Sequence, residues 1–466
     1  VIPARLEPIL AEVEPLARRF TAAGFRIYLV GGTVRDAIDA RGADATQALA
    51  GADLDLTTDA LPDDIERILR GWADAVWLQG KRFGTVGAAK EGRHYEITTH
   101  RSEVYVEESR KPTVTFGDDI VTDLSRRDFT INAMALSLPD NDLVDPFDGV
   151  GDLAAGRLRT PLDPVISFGD DPLRMMRAAR FLAGRGLVPD PELVEAVRTL
   201  HSRLSIVSAE RIRDELDKLL VLPSPEAGLW FLVDTGLAAE FIPELPALAV
   251  EQDPVHRHKD VLAHTIAVVG KTSPDRILRL AALFHDVGKP RTRSIGPEGV
   301  SFHHHDVVGA RMTRQRMREL RYPTADIEQV SKLVELHLRF HTYRMGWTDS
   351  AVRRYRTDAG DLLYQLNELT RSDCTTRNET KARDLGRRMD ELERRLTELA
   401  EQEALDAIRP QLDGVQVMEL LGIPPGRDVG EALKYLLEVR FEEGILPEDE
   451  VVARLEKWWD ARSAHN

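Results

Sequence analysis

Strand-forming runs occur in only one part of this chain. "FRIYLVGG" (25–32), "ADLDLTTDA" (52–60), "HYEITTHR" (94–101) and "NAMALSL" (132–138) alternate with helical segments between residue 25 and about 160. From about residue 165 the apolar positions recur at helical spacing and the strand signals stop. The pattern predicts an α+β protein, with a head built on a small mixed sheet followed by all-α segments. Proline-rich breaks at "RTPLDPVISFGDDP", "LPSPEAG", "FIPELPALAVEQDP" and "GIPPGRD" suggest joints. The expected division is an N-terminal helix (1–24), a head (25–160), a helical neck and body (161–250), a histidine-bearing domain (251–378) and a helical tail (379–466).

At 466 residues the chain exceeds one core and suggests about three or four domains. Its net charge of −16 argues against an indiscriminate nucleic-acid binder. A local basic groove on an acidic body is compatible with it, and basic residues cluster in "RMMRAARFLAGR", "ERIRDELDK" and "ARMTRQRMRELR". Cys374 is the sole cysteine, so no intrachain disulfide can form. No run approaches the ~18 apolar residues of a membrane span, and "VIPARLEPILAEVEPLARRF" reads as an amphipathic helix without a cleavage site. The expectation is a cytoplasmic protein with no membrane partner.

In "IYLVGGTVRD" an apolar strand runs into Gly31-Gly32 and a helix start, where backbone can approach phosphates closely and Arg35 falls in the first turn. Asp53 and Asp55 lie two apart on a strand, so period two places both carboxylates on one face, close enough to share Mg²⁺. Acidic residues are disfavoured inside strands, and the bland reading is an edge strand protected by charge. The chemical reading is two-metal phosphoryl transfer. "LSRRDFTINAMAL" adds Arg126, Arg127, Asp128 and Asn132. Guanidiniums suit phosphate oxygens, while Asp128 and Asn132 could bind a ribose or hold the arginines in place.

In order and separation, "LVGGTVRD", "DLD", "RRDFTINAM", "DPFDGVGDL", "DDPLRMMRAARF" and "SAERIRDEL" resemble the class II tRNA nucleotidyltransferases, which include CCA-adding enzymes and bacterial poly(A) polymerases. The resemblance covers residues 25 to about 245. It implies a pol β-like head, tRNA as partner and CTP and ATP as substrates. Asp53 and Asp55 would hold Mg²⁺, and Gly32, Arg35 and Arg127 the triphosphate. "DDPLRMMRAARF" then becomes the nucleotide-selecting motif, with nucleotide contacts implied for Asp171, Arg174, Arg177 and Arg180. Base chemistry points the same way: cytosine and adenine each show an amino donor beside a ring-nitrogen acceptor, which a carboxylate and a guanidinium complement. Guanine and uracil present the reverse order, and unpaired buried groups cost about 1–3 kcal/mol each. Asp171 and Arg174, expected at i and i+3 on one helix, would read that edge. Arg177 would support triphosphate or base. Arg180 lies about half a turn round from Asp171 and would reach the nucleotide only from the rim. The loop "VYVEESRKPTVTFGDD" falls where the family's flexible segment between C and A addition lies, and it leaves C against A open. Asp170 stands where a glutamate is common.

The second half carries His264, His285, Asp286, His305, His337 and Asp373 in "LAHTIAVV", "LAALFHDVGKP", "SFHHHDVVGA", "LVELHLRFH" and "LTRSDCTTR". One histidine on an apolar helix is ordinarily a satisfied core residue. Mixed imidazole and carboxylate donors suit Mn²⁺, Ni²⁺, Fe or Mg²⁺ better than a closed structural zinc site. The pattern resembles the HD phosphohydrolase domain. That implies His264, His285, Asp286 and Asp373 as core ligands, with His305 and His337 matching the extra ligands of two-metal members. Such a site would hydrolyse a phosphate ester or cyclic phosphate; a non-catalytic, RNA-binding role is the other reading. The combined expectation is addition of C and A to the tRNA 3′ end, with the acceptor arm along the basic helices of neck and body. Its rivals are a poly(A) polymerase, a CC- or A-adding enzyme, an HD phosphohydrolase whose head merely binds nucleotides, and a non-catalytic RNA-binding protein.

Overall fold

The computed structural model describes residues 3–39, 53–106, 109–250, 260–296, 299–374, 379–406, 409–443 and 446–463. The chain forms two compact units, Val1–Phe340 with Asp361–Thr375, and His341–Gly360 with Thr376–Asn466.

The first unit opens with helix α1 (Glu7–Ala22), whose buried stripe of Ile9, Val13, Leu16, Ala17 and Phe20 recurs at helical spacing. Strand β1 (Ile27–Val30) is buried along its whole length because both its faces are covered. Ile27 and Leu29 join the core under α1, while Tyr28 and Val30 join a second cluster with Ile120 and Leu124. Short helix α2 (Gly32–Ile38) follows β1, then β2 (Leu54–Thr58), β3 (Ala75–Trp77), β4 (Thr85–Lys90) and β5 (Arg93–Thr99). Strands β6 (Arg101–Val106) and β7 (Ser109–Phe116) pair as a separate antiparallel ladder. The segment read from sequence as a loop is therefore largely a hairpin, in keeping with its β-branched Val104, Val106, Thr113, Val114 and Thr115. After α3 (Ile120–Ser125), strands β8 (Ala135–Leu138) and β9 (Leu143–Val144) complete a seven-stranded sheet of order β3-β4-β5-β2-β1-β8-β9. The β2–β5 pair is parallel and the other pairs are antiparallel. Strand β2 thus lies inside the sheet, between β1 and β5, which removes the edge-strand account of its acidic residues.

Helices take over from α4 (Pro164–Asp170) onward. Helix α5 (Leu173–Arg185) buries Met175, Met176, Ala178, Ala179, Phe181 and Leu182 and packs on α6 (Ala209–Leu220). Then come α7 (Val261–Lys271), α8 (Arg276–Phe284), α9 (His305–Glu319), α10 (Thr324–Leu336) and α11 (Leu363–Asp373). Arg279 of α8, almost wholly buried, donates to the carbonyls of Leu220 at the end of α6 and Leu222 just beyond it, and to that of Thr272, 2.9 Å away. A buried guanidinium persists only when its donors are met, so this one ties the HD-bearing helices to the neck.

In the second unit, α12 (Glu379–Asp406) is the long charged helix expected from "RDLGRRMDELERRLTELAEQEA". Helices α13 (Gly414–Leu421), α14 (Arg427–Glu443) and α15 (Glu448–Ser463) enclose a small core of Val417, Ala432, Leu436, Val451 and Leu455. Among the described residues no helix is long and apolar enough to cross a membrane.

Candidate active site and metal centre

Leu54 and Leu56 point into the core beneath α1, so Asp55 must project from the opposite face of β2. It meets a cleft of about 690 Å³ lined by Gly31, Gly32, Arg35, Asp55, Arg126, Arg127 and by residues of α5 and α6. Gly31 has φ +74°, a left-handed conformation that favours glycine, and a Cβ there would lie 3.1 Å from Asp55 Oδ2 and 3.7 Å from Arg127. The glycine lets the loop close between carboxylate and guanidinium. Burial in the cleft, then Glu96 opposite it in the β2–β5 ladder and Asp53, raise the Asp55 pKa, with Arg127 opposing. Such mutual repulsion on one strand face is what a divalent cation relieves, and oxygen donors alone suit Mg²⁺. Asp53 itself is the residue just before β2. It is exposed, its Oδ1 is 3.7 Å from His94, and it lines a neighbouring groove rather than the Asp55 cleft.

The guanidiniums are held from behind. Asp123 on α3, with no exposed side-chain surface, takes Arg126 at 2.6 Å and Arg127 at 3.4 Å. Burial alone would raise its pKa, but the two arginines outweigh it and keep the carboxyl below the usual range. The Nε of Arg127 is buried without a hydrogen-bond partner among the described residues, and Arg127 lines the cleft. Arg35 donates to Asn132 Oδ1 at 2.5 Å, Asn132 to Asp128 at 2.9 Å, and Arg177 to Asp128 at 2.8 and 2.6 Å. Asp128 and Asn132 therefore act as arginine holders, the alternative that spacing had left open.

Asp171 is not on the helix. It follows α4 in extended conformation, and α5 begins at Leu173 because Pro172 is tolerated only at the start of a helix. Asp171 accepts from the Leu173 amide at 3.2 Å and pairs with Arg211 at 3.1 Å, so its expected same-helix relation to Arg174 gives way to a cap-like one. Arg174 is buried and donates to Ser167 Oγ at 2.8 Å, to the Ser167 carbonyl at 3.3 Å and to the Arg126 carbonyl. Three of its five N–H donors are thereby used, and Asp171 keeps lone pairs beyond the two engaged. Both residues face the cleft. Arg180 pairs with buried Glu215 at 2.7 Å and lies over the Phe181 ring, 4.7 Å from its centroid, at the cleft wall. Sequence reasoning assigned no role to Arg211, Glu215 or Lys218; the signal was "ERIRDELDK", where the three fall at i, i+4 and i+7 and share the cleft-facing side of α6.

The histidines converge elsewhere in the same unit. His264 Nε2 is 2.9 Å from Asp373 and 3.3 Å from His285 Nε2, and His285 Nε2 is 3.2 Å from Asp286. His264, His285 and Asp286 form one candidate metal triad; Asp286, His305 and His337 form a second, sharing Asp286. His285, His305 and His337 are each fixed through Nδ1 on a carbonyl three residues back, at 2.7, 2.7 and 2.6 Å. That orientation turns each Nε2 inward as a donor to a metal. Among the described residues the Nε2 atoms of His305 and His337 are buried without a hydrogen-bond partner, His305 Nε2 lying 3.4 Å from Asp286 Oδ1. Burial opposes charge on His285, yet Asp286 and Asp373 prevail and push its pKa up to about 10, while burial and the neighbouring His285 push His337 down to about 4. The charges that favour one cationic imidazole favour a divalent ion equally. Gly288 serves closeness: a Cβ there would collide with the His305 carbonyl.

Three families match the chain in order: the Poly A polymerase head domain over residues 27–159, the probable RNA- and SrmB-binding site of polymerase A over 186–248, and the HD domain over 261–400. An A-adding tRNA nucleotidyltransferase of Deinococcus radiodurans is 36% identical over 351 residues, 72% of this chain and 79% of that one. A CCA-adding enzyme of Lactobacillus gasseri is 38% identical over 236 residues, 50% of this chain and 56% of its own length. In structure, the Bacillus stearothermophilus CCA-adding enzyme in complex with CTP matches with a TM-score of 0.61 at 23% identity, covering 99% of this chain and 100% of that one. The chain belongs to the tRNA nucleotidyltransferase and poly(A) polymerase family of enzymes, with an HD domain C-terminal to the transferase head.

Proposed function

We propose that the chain is a CCA-adding tRNA nucleotidyltransferase using CTP and ATP. The observation that carries this reading is the single cleft that gathers Asp55, the anchored Arg35 and Arg127, and the Asp171–Arg174 pair around one nucleotide-sized space. In the reaction the tRNA 3′ oxygen bonds to the α-phosphorus, the bond to the bridging oxygen breaks, and pyrophosphate leaves. A divalent ion at Asp55 and the Glu96 beside it would neutralise the phosphates and activate the hydroxyl. Arg35 and Arg127 hold the triphosphate, and Asp171 and Arg174 present an acceptor and donors to the base edge. In the HD cluster, His264, His285, Asp286 and Asp373 would hold a metal such as Mn²⁺ or Ni²⁺, which supplies hydrolysis of a phosphate ester when bound.

Incubating tRNAs that end before the CCA, after one C and after both C residues with each nucleotide alone tests the reading. CTP should extend the first two and ATP the third, with GTP and UTP inert. An A-only enzyme is the second reading, favoured by the Deinococcus relative over the longer alignment, and it would extend only the tRNA ending in CC. Repeated addition of A to any 3′ end would instead mark a poly(A) polymerase.

A further inference from the structure

Many arginines of this acidic chain are paired with carboxylates among the described residues, and α9 carries both paired and unpaired ones. Arg316 is paired with Glu244 at 2.9 Å and Arg314 with Glu335 at 3.1 Å. Arg318, in the last turn of α9, and Arg321, just beyond it, are exposed and have no ion-pair partner among the described residues. Arg321 stands at φ +59°, the left-handed position after a helix where glycine is the ordinary choice. Together with Arg314 and Tyr322 they line a groove of about 470 Å³ between the end of α9 and the start of α10.

The groove is built against α6. The Tyr322 hydroxyl donates to Asp217 at 2.6 Å, and Arg213 donates to the Arg321 carbonyl. Asp217 and Arg213 occupy one face of α6, while Arg211, Glu215 and Lys218 on another face line the nucleotide cleft. A helix is about 10–12 Å across with its side chains, so groove and cleft lie on either side of a single helix. Three guanidiniums, two of them unpaired, outnumber the one carboxylate of the lining, Glu328, and beside Tyr322 next to the cleft they complement a polyanionic chain entering it.

We propose that this groove on the HD-bearing helices holds the sugar-phosphate backbone of the tRNA whose 3′ end lies in the nucleotide cleft. The inference rests on the tRNA nucleotidyltransferase reading. Its test is steady-state addition by the full chain carrying Arg318→Ala and Arg321→Gly, the glycine suiting the left-handed backbone. The KM for tRNA should rise about tenfold or more, with kcat and the KM for CTP unchanged. The slope of log affinity against log salt should become shallower by about two. A control removing equal charge elsewhere, Arg18→Ala with Arg394→Ala, should leave both quantities alone. An unchanged KM for tRNA in the groove variant, or an equal rise in the control, overturns the groove. A wild-type chain that extends no tRNA at all overturns the transferase reading, and the groove with it.

Discussion

The nucleotide cleft and the histidine–aspartate cluster both handle phosphate chemistry, yet they are built on opposite principles. In the cleft, cationic side chains face an open space and are fixed from behind by buried carboxylates: Asp123 behind Arg126 and Arg127, Asp128 behind Arg177, Glu215 behind Arg180. In the HD cluster, His285, Asp286, His305 and His337 are buried and His264 and Asp373 half-buried, and each of three imidazoles is fixed by a backbone carbonyl. The first arrangement suits a large, mobile polyanion whose charge is matched at many points. The second suits a small hard centre whose position is set to a fraction of an ångström. Buried charge does the orienting in the cleft, whereas backbone carbonyls do it in the HD cluster, where the buried charge belongs to the ligands.

If the two sites are independent, single substitutions should separate them completely. Asp55→Ala should lower nucleotide addition by about 10³-fold or more, because several kcal/mol of charge stabilisation is lost, while leaving phosphatase activity measured with Mn²⁺ or Ni²⁺ intact. Asp286→Ala, the carboxylate shared by both metal triads, should do the reverse. Parallel assays on the two purified variants decide it; loss of both activities in either variant would break the comparison.

Next in size is base choice. Asp171→Asn reverses one hydrogen-bonding role at the base edge, and a mismatched buried group costs about 1–3 kcal/mol. The preference for CTP and ATP over GTP and UTP, taken as a ratio of kcat/KM, should therefore narrow by roughly 10- to 100-fold. Arg174→Leu should narrow the ratio likewise by removing the donors to the base edge, and should in addition lower activity with every nucleotide, because it strands the Ser167 and Arg126 groups that the guanidinium now satisfies. Equal loss with all four nucleotides would assign the pair a structural role instead.

These residues also show what could be read in advance. The strands, the α+β-to-α switch and the HD histidines were legible because period-two and helical patterns are local, and because adjacent His285 and Asp286 ending an apolar helix have few bland explanations. The position of Asp171 was not, because a three-residue spacing looks helical whether or not Pro172 starts the helix there. The role of Asp128 was hidden for a different reason. A carboxylate that holds an arginine 49 residues away leaves no trace in neighbouring sequence. Glu96 was missed likewise, since only the parallel β2–β5 register sets it opposite Asp55.

A smaller effect sharpens the metal side of the comparison. His337→Ala removes a ligand from the second triad only, so metal content after loading and desalting should fall by about one ion per chain while the first triad stays filled. Elemental analysis beside the wild type reads it directly. An unchanged metal content would show that the second triad serves packing.

The smallest expected effect lies on the cleft side and concerns pH. Burial would raise the Asp128 pKa, but Arg177 and the Asn132 amide outweigh it and hold the carboxyl below its ordinary value. A group whose folded pKa is depressed stabilises the fold above the unfolded carboxylate pKa, and that stability drains away as pH falls through the folded value. Urea denaturation of the wild type should therefore show a loss on acidification below about pH 4, part of it from this pair. Asp128→Asn should be less stable by about 1–3 kcal/mol at pH 7 and should lose less on acidification, so the two curves converge at low pH. Curves that stay parallel would mean that Arg177 is oriented by Glu215, 3.6 Å away, rather than by Asp128. The carboxylate that aims this arginine would then sit on α6 rather than in the segment after α3.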